Sequence, residues 1–311
     1  VNELDGSATI TNSGTITARA DGGEAYSVKI DNGPDSATVI NEEGGLLDGD
    51  VFIGGFVPLE NSGNIIGGGT IGGNYTITDT GVHLVNAEST DANGYDQLTV
   101  NGDLTIAAGG AVGVNVDTDS QAYVAGGEFY DNIITADTLL AGDISGATGS
   151  IIWQAAAVAD DNDNIDITVG LVDVANISAG EIINEGEQFA LRVPDTGGEA
   201  PVTINNAGTI DGAVDLGDSI LNLSGPNSAV KGSITGVSGS TVNVNGLFTS
   251  AGTIGVDQFA INSGGNFTPL HVITSAVQND GTLTIAAGNT AQISGSYTQG
   301  ADGNLVIGVN S

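Results

Sequence analysis

One short motif recurs along this 311-residue chain and restricts it to folds that repeat a strand, a tight corner and a second strand. The motif is an apolar residue, an asparagine, a glycine, and then isoleucine or leucine. Its clearest copies are residues 10–16, 59–65, 204–210 and 277–283, with weaker copies at 40–44 and 183–186. We expect the glycine to supply a positive φ at each corner. We expect the asparagine to stack on the asparagine of the next turn, as amide ladders do between layered strands.

Short β-rich runs lie between these corners. Each run alternates apolar and polar residues, as a strand with one buried face does. Examples are residues 8–11, 75–78, 97–100, 104–106, 241–244 and 283–285. Fifty glycines make the chain poor helix material, and only Ile151–Val158 is compatible with either a helical turn or a buried strand. The chain is therefore predicted to be all-β.

A repeat made of one strand, one corner and a second strand is too short to bury its own apolar face. Stacking such repeats creates one continuous core. We therefore predict a right-handed parallel β-helix, or β-solenoid. A propeller requires a blade signature with a period of about 40–45 residues. A sandwich requires strand pairs joined by tight hairpin signals. Neither pattern is present in the sequence.

A longer repeat indicates two tandem modules. Glu24–Ile30 matches Glu187–Val193 in character at nearly every position, and the single basic residue of each segment occupies the same place. Each segment is followed by an acidic, glycine-containing loop and then by an Asn/Gly corner. We predict β-solenoid modules at residues 1–170 and 171–311, related to one another.

The charge excludes several classes of partner. The chain has 38 acidic and 4 basic residues, a net charge of −34. It therefore lacks the clustered Lys and Arg that nucleic acids and anionic membrane surfaces require. No run of apolar residues is long enough for a spanning helix, so we expect no direct membrane insertion. With no cysteine, a disulfide, a thiol nucleophile and a cysteine-ligated metal are all excluded.

Several segments are similar to a known family. They are the Asn-Ser-Gly-Thr-Ile corner at 12–16, Tyr95–Leu104, Phe129–Ala136, the acidic turn and strand at 160–169, and Gly295–Leu305. In these segments the chain resembles the passenger region of bacterial autotransporters and related haemagglutinin-type surface proteins. The resemblance implies an extracellular β-helix on a bacterial surface. Passenger-end signatures occur twice here, which agrees with a duplicated module.

Catalysis is a less favoured alternative, because parallel β-helices also include polysaccharide lyases and hydrolases that use paired carboxylates. Close acidic pairs occur at Asp48/Asp50, Asp117/Asp119 and Asp215/Asp218, but 38 acids produce such pairs by chance. The only histidines are His83 and His271, and neither lies near a Gly-x-Ser-x-Gly elbow. We expect ordinary solvated or strand-facing histidines, solvated acidic corners and no catalytic residues.

Calcium is the one cofactor for which the sequence supplies candidate ligands. Asp160, Asp161 and Asp163 place hard oxygen donors within one turn, which suits Ca²⁺. The segment does not follow the EF-hand pattern, so a simple solvated turn is the favoured interpretation and a calcium site is the alternative. We expect no other cofactor.

The sequence as a whole favours a non-enzymatic, extracellular structural protein of a bacterial cell surface, such as a filament, surface-layer or stalk subunit. Neither end carries a charged or proline-rich cap, so we expect end-to-end self-association through exposed strand edges. The second hypothesis is an adhesin that binds a host, surface or glycan receptor. The third is a polysaccharide lyase or hydrolase.

Overall fold

The computed structural model describes residues 8–18, 25–33, 37–87, 94–116, 128–141, 144–160, 162–184, 188–196, 200–226 and 228–309. Every regular element in these ranges is a β-strand. The described ranges contain no helix, and hence none long and apolar enough to cross a bilayer. The predicted all-β class is confirmed. The ambiguous segment is a strand at Trp153–Ala159.

Contacts divide the chain into two compact units, the first ending at Gly170 and the second covering the described residues from Leu171 onward. The strands counted with the first unit are β1 (Thr9–Asn12), β2 (Thr15–Thr17), β3 (Tyr26–Gly33), β4 (Thr38–Asn41), β5 (Leu46–Asp48), β6 (Asp50–Gly55), β7 (Leu59–Asn61), β8 (Asn64–Ile66), β9 (Gly69–Ile71), β10 (Tyr75–Ile77), β11 (Val82–Ala87), β12 (Leu98–Ile106), β13 (Ala111–Val116), β14 (Glu128–Ala141), β15 (Ser145–Thr148), β16 (Trp153–Ala159) and β17 (Asn164–Leu171).

The first unit repeats its strands in a fixed order. Strands β1, β4, β7 and β10 pair in parallel, as do β2, β5, β8 and β11, and as do β3, β6 and β9. The chain therefore visits three stacks in turn and then returns to the first, and we call one such passage a circuit. The long strand β12 pairs with both β9 and β10. Each circuit thus lies directly on the circuit before it.

The end of the first unit departs from the all-parallel pattern predicted for it. Strand β14 pairs in parallel with β12 on one side but antiparallel with β17 on the other. The register of the antiparallel pair shifts between Tyr130 and Ile134, where Asn132 has φ +52°. An antiparallel strand covers the edge of β14 that the next parallel strand would otherwise occupy.

The second unit carries β18 (Val174–Ile177), β19 (Ile182–Ile183), β20 (Leu191–Arg192), β21 (Thr203–Asn206), β22 (Thr209–Ile210), β23 (Val214–Asp215), β24 (Ile220–Leu223), β25 (Ala229–Val230), β26 (Ile234–Thr235), β27 (Thr241–Val244), β28 (Leu247–Thr249), β29 (Ile254–Gly255), β30 (Gln258–Ile261), β31 (Asn266–Thr268), β32 (Ala276–Asn279), β33 (Thr282–Ile285), β34 (Tyr297–Gln299) and β35 (Asn304–Ile307). Its principal stack is β18-β21-β24-β27-β30-β32-β34, parallel throughout. The other stacks are β19-β22-β25, β20-β23-β26-β29 and β28-β31-β33-β35.

The core of the second unit is built from the alternate residues that point inward. Leu221, Val242 and Phe259 are in register on successive strands, and each is buried. Phe267 packs between two further rings, with its centroid 4.8 Å from that of Phe259 and 5.6 Å from that of Phe248. Stacking identical positions in this way buries apolar surface that a single circuit leaves open.

The two segments of the longer sequence repeat have similar local contacts. In the first unit the Lys29 ammonium lies 4.8 Å from the centroid of the Tyr26 ring. In the second unit the Arg192 guanidinium lies 5.4 Å from the centroid of the Phe189 ring. Each of these two cations also forms an ion pair with an aspartate carboxylate. The partner of Arg192 is Asp215 of the next circuit, at 3.5 Å. The relatedness of the two modules stays a prediction, which these matching contacts support.

Most of the clear motif glycines are needed for a different reason from the predicted one. Gly44, in the weaker copy at 40–44, has the predicted positive φ, +81°. Gly14, Gly63, Gly208 and Gly281 do not have positive φ, so the prediction is wrong at these four corners. Instead, a Cβ at Gly63 would overlap the carbonyl oxygen of Gly45 in the preceding circuit, and the same holds for Gly208 and Gly281 with their own neighbours. Close stacking of backbones therefore excludes a side chain at these corners.

We expect Gly63→Ala to lower the free energy of unfolding of the first unit by about 1–3 kcal/mol, because the methyl group must displace backbone of the preceding circuit. Gly14→Ala is the matched control, since a Cβ there has no atom within 4 Å. Trp153 lies in the first unit and is buried, so its fluorescence during denaturant unfolding reports the change. Equal effects of the two substitutions would contradict the close-approach explanation.

Candidate functional site

Motif asparagines of the first unit form a buried ladder. The Asn12 side-chain amide donates to Oδ1 of Asn41 at 2.8 Å, and the Asn41 amide donates to Oδ1 of Asn61 at 2.8 Å. All three side chains are buried, on strands that are paired in register. The Asn41 amide also donates to the carbonyl of Asn64 at 3.0 Å. The predicted stacking of asparagine on asparagine is confirmed for these corners. It is wrong for the second-unit motif residues Asn206 and Asn279, because the in-register neighbours of Asn206 are Ile177 and Leu223 and those of Asn279 are Ile261 and Gln299.

The ladder ends at a tyrosine–histidine pair. Ile77 takes the asparagine position on the strand after Asn61. The Asn61 amide donates to the carbonyl of Val82 at 3.0 Å and also hydrogen-bonds the Tyr75 hydroxyl. The hydroxyl oxygen of Tyr75 in turn lies 2.9 Å from Nδ1 of His83. Polar groups therefore continue from the ladder to the imidazole without exposure to solvent.

The partners of His83 define its protonation state. Nε2 lies 3.0 Å from the carbonyl oxygen of Gly67, which can only accept, so Nε2 carries the hydrogen. Nδ1 then accepts from the Tyr75 hydroxyl. Burial lowers the pKa of His83 to about 4, opposed by its hydrogen bond to Gly67. Burial also raises the pKa of Tyr75, with Asn61 opposing it. Both rings are neutral near neutral pH.

This buried polar chain holds circuits together and has no surface that a substrate could reach. Tyr75 and His83 are both fully buried. Every nitrogen of the imidazole has a partner, which is the condition under which a buried polar network stabilises a core. His271, the other histidine, is exposed. The arrangement is therefore suited to fixing the register of the strands.

The sequence did contain a signal for the inward position of His83. Aligning the corner glycines Gly63 and Gly81 places His83 beside Ile65, and the structure pairs them in register. On its other side His83 pairs with Val112. A histidine between two buried aliphatic positions indicates a core residue that needs polar partners. Tyr75 as that partner depends on neighbouring strands and has no local signature.

The predicted calcium residues have other partners. The Asp160 carboxylate accepts backbone N–H bonds from Asn162 at 2.8 Å and Asn164 at 3.0 Å, and these two bonds lower its pKa. Asp163 accepts from the Leu139 N–H at 3.0 Å, and Asp161 lies outside the described residues. In the described ranges no cluster of three or more His, Asp or Glu suited to a metal occurs. The calcium site stays a prediction.

The acidic pairs considered for catalysis are also engaged in the fold. Asp218 accepts from the Thr196 hydroxyl at 2.6 Å and from its N–H at 3.0 Å. Asp50 accepts from the Gly68 N–H at 3.0 Å, and Asp215 pairs with Arg192. The pair Asp117/Asp119 lies outside the described residues. The carboxylates of Asp50, Asp215 and Asp218 therefore link neighbouring circuits.

Two of the segments that carry the family resemblance lie against each other. The Tyr95 hydroxyl donates to the carbonyl of Asp131 at 2.8 Å, and the Gln97 amide donates to that of Asn132 at 3.1 Å. The Tyr95 ring meets the Tyr130 ring edge-on, with centroids 5.3 Å apart. These contacts hold the irregular part of β14, so the segments have a structural role at this end of the unit.

In the last described circuit of the second unit, the inward side chains are partly exposed. Val277 and Leu283 in the preceding circuit are each 2% exposed. Their in-register partners in the last circuit, Tyr297 and Leu305, are 37% and 42% exposed, and Ile307 is 59% exposed. These apolar positions, together with the outer edges of β34 and β35, form what we call the open end.

An uncharged row of amides lies on the outer face of the principal stack. Asn176, Asn205, Asn222 and Asn243 are in register on successive strands, joined by amide hydrogen bonds of 3.0, 2.9 and 2.9 Å. The adjacent outward column is Val174, Thr203, Ile220 and Thr241. Each asparagine amide keeps hydrogen-bonding capacity beyond the row.

Comparison with protein-family models, with curated proteins and with solved structures finds no match to this chain. The contacts described above are therefore the basis on which a function is proposed.

We expect acid to destabilise the first unit through His83. The pKa of about 4 in the folded state lies below the ordinary 6.5 of the unfolded chain. The contribution of neutral His83 to the free energy of unfolding is therefore fully present above about pH 6.5. It is lost as the pH falls to about 4, a change of about 3 kcal/mol. Measured by denaturant unfolding, wild-type protein should lose this amount relative to His83→Gln over that range.

The control for this experiment is His271→Gln, because His271 is exposed. The free energy of unfolding of this variant should follow the wild-type pH dependence. If the free energy of unfolding changed equally with pH in the wild type and in His83→Gln, the folded state would not resist protonation of His83.

Proposed function

We propose that both units are right-handed parallel β-solenoids and that the protein is an extracellular structural protein of a bacterial cell surface. It acts without catalysis, as a filament, surface-layer or stalk subunit of the autotransporter-passenger type. The fixed order in which the chain visits its parallel stacks supports the solenoid. The sequence resemblance supports the surface location.

Parallel pairing of successive circuits, with core positions kept in register, is the observation that carries this proposal. Among the described residues, β34 and β35 each pair with one strand, and the inward positions Leu305 and Ile307 are exposed. Strand edges and apolar positions of this kind recruit further strands. We infer end-to-end self-association as the way in which the protein builds longer structures.

The charge regulates this association. A net charge of −34 keeps copies apart at low ionic strength and is screened at high ionic strength. Backbone hydrogen bonds and amide ladders repeat from one circuit to the next, which makes each stack stiff. The absence of cysteine and methionine suits an oxidising exterior. The engaged carboxylates and the buried His83 support a role without catalysis.

We expect the protein to form linear assemblies whose length grows with protein and salt concentration, measured by light scattering and negative-stain electron microscopy. Ile307→Lys should abolish them, because it places a charge among the inward residues of the open end. Val306→Lys is the matched control, since it adds the same charge on the same strand but at the alternate, outward position.

Monomers alone across the whole concentration and salt range would contradict the structural proposal. Equal loss of assembly in the two lysine variants would show that charge, rather than the apolar end, controls association. Circular dichroism of both variants should retain the β-sheet spectrum of the wild type, which confirms that each variant is folded.

The row of amides favours a second candidate, an adhesin that binds a glycan receptor. Hydrogen-bonding groups repeat along the row at the spacing of adjacent strands, about 4.8 Å. No acidic or basic residue occupies either outward column. The surrounding negative charge opposes anionic polymers. The row therefore fits an uncharged, hydroxyl-rich polymer.

If the protein is an adhesin, it should bind an immobilised neutral glycan saturably. Asn222→Ala in the middle of the row should weaken binding about fivefold, the effect of losing one hydrogen bond of about 1 kcal/mol. Asn115→Ala, which removes a similar amide contact in the first unit, is the control. Binding that does not saturate, or that both variants leave unchanged, would exclude this face as a receptor site.

A further inference from the structure

The row of amides on the outer face of the second unit is interrupted at one strand. Asn243 is followed in register by Ala260 on β30, and Ala260 is followed by Gln278 on β32. Side chains that end in an amide therefore stand on both sides of a methyl group. Asn243 and Gln278 are two strand spacings apart, about 9.6 Å, so the row lacks one amide between them. We call this place the gap.

The hydrogen bonds of the row all run in one direction and end at the gap. The amides of Asn205, Asn222 and Asn243 each donate to Oδ1 of the asparagine on the preceding strand. Oδ1 of Asn243 is therefore the atom to which an amide at the position of Ala260 would donate. Within the described residues, no N–H or O–H donates to this oxygen. The side of the gap next to Asn243 thus offers an acceptor.

Gln278 offers a donor on the other side of the gap. Its amide donates one hydrogen bond, to the Asp280 carboxylate at 3.0 Å. A primary amide has two N–H donors, so a second N–H of Gln278 is left for a further acceptor. An acceptor and a donor therefore face each other across Ala260, separated by the length of one missing amide.

Two further amides border the gap along β30 itself. Gln258 and Asn262 point outward beside Ala260, because outward positions alternate with the buried Phe259 and Ile261. Ala260 is partly exposed, so solvent reaches the gap. The four side chains that surround it are all uncharged, in a chain with a net charge of −34. The gap therefore suits a polar, uncharged group.

A secondary amide is the group that completes the row. Its N–H would donate to Oδ1 of Asn243, and its carbonyl oxygen would accept from the Gln278 amide. The acetamido group of an N-acetylated amino sugar carries this pair. A carboxylate has no donor for Asn243, and the negative charge of the chain opposes it.

We propose that the gap binds the acetamido group of an uncharged, N-acetylated amino sugar. This inference rests on the glycan-binding candidate and adds to it the class of sugar and the place where it is anchored. A peptide carries the same amide, but peptides bind sheets by adding a strand to an edge. At the gap, β30 is paired on both sides, with β27 and β32, so no strand edge is available there.

Filling the gap from the protein itself tests this site. Ala260→Asn supplies the missing amide, so it should occupy the place of the acetamido group. Isothermal titration calorimetry compares the trisaccharide of N-acetylglucosamine with the corresponding trisaccharide of glucose, which has hydroxyls in place of the acetamido groups. The wild type should bind the N-acetylated trisaccharide about tenfold more tightly, the effect of two net hydrogen bonds. Ala260→Asn should remove this preference.

Val174→Asn is the matched control. It adds the same side chain at an exposed outward position of the same face, on β18, which lies four strands or about 19 Å from β30. It should retain the preference. Gln278→Ala removes the donor on the other side of the gap and should reduce the preference to about threefold, the effect of one hydrogen bond. Circular dichroism of each variant should match the β-sheet spectrum of the wild type.

The outcomes separate this site from the glycan-binding candidate. Saturable binding of both trisaccharides with equal affinity overturns the acetamido site and leaves the candidate standing. So does a preference that Ala260→Asn keeps or that Val174→Asn also loses. Competition by a short N-acetylated peptide as strong as that by the trisaccharide overturns the assignment to a sugar. If neither trisaccharide nor the immobilised neutral glycan binds, the site and the candidate fall together.

Discussion

Parallel backbone pairing between successive circuits is the interaction on which the rest of this structure depends. It places each inward side chain on the equivalent side chain of the previous circuit, as with Leu221, Val242 and Phe259. Burial is thus shared between neighbours and is incomplete wherever a neighbour is missing. The exposure of Leu305 and Ile307 in the last described circuit follows from this.

The same pairing explains how polar side chains are tolerated in the core. A single buried asparagine would leave donors and acceptors without partners. In register, Asn12, Asn41 and Asn61 satisfy each other, and the fully buried Tyr75 and His83 continue the chain where the asparagines stop. Such a network specifies strand register, because a shift of one residue would move every member to the outer face.

Much of the local structure was predictable because its causes lie in a few consecutive residues. Alternating runs such as 241–244 became strands, and the motif asparagines of the first unit stacked, since both depend on the two-residue period of a strand. The role of Gly63 was mispredicted, because it depends on a carbonyl in the preceding circuit. The contact of Tyr95 with Asp131 joins segments far apart in the chain, and no local pattern reports it.

The sequence by itself determined that the chain is all-β, strongly acidic, and built from corners in which asparagine and glycine recur, because period and composition are properties of the chain alone. Only the tertiary structure decided that the corner glycines prevent overlap between circuits, that β14 pairs antiparallel with β17, and that Tyr75 is the polar partner of the buried His83. These features arise from contacts between circuits, and such contacts exist only after the strands have stacked.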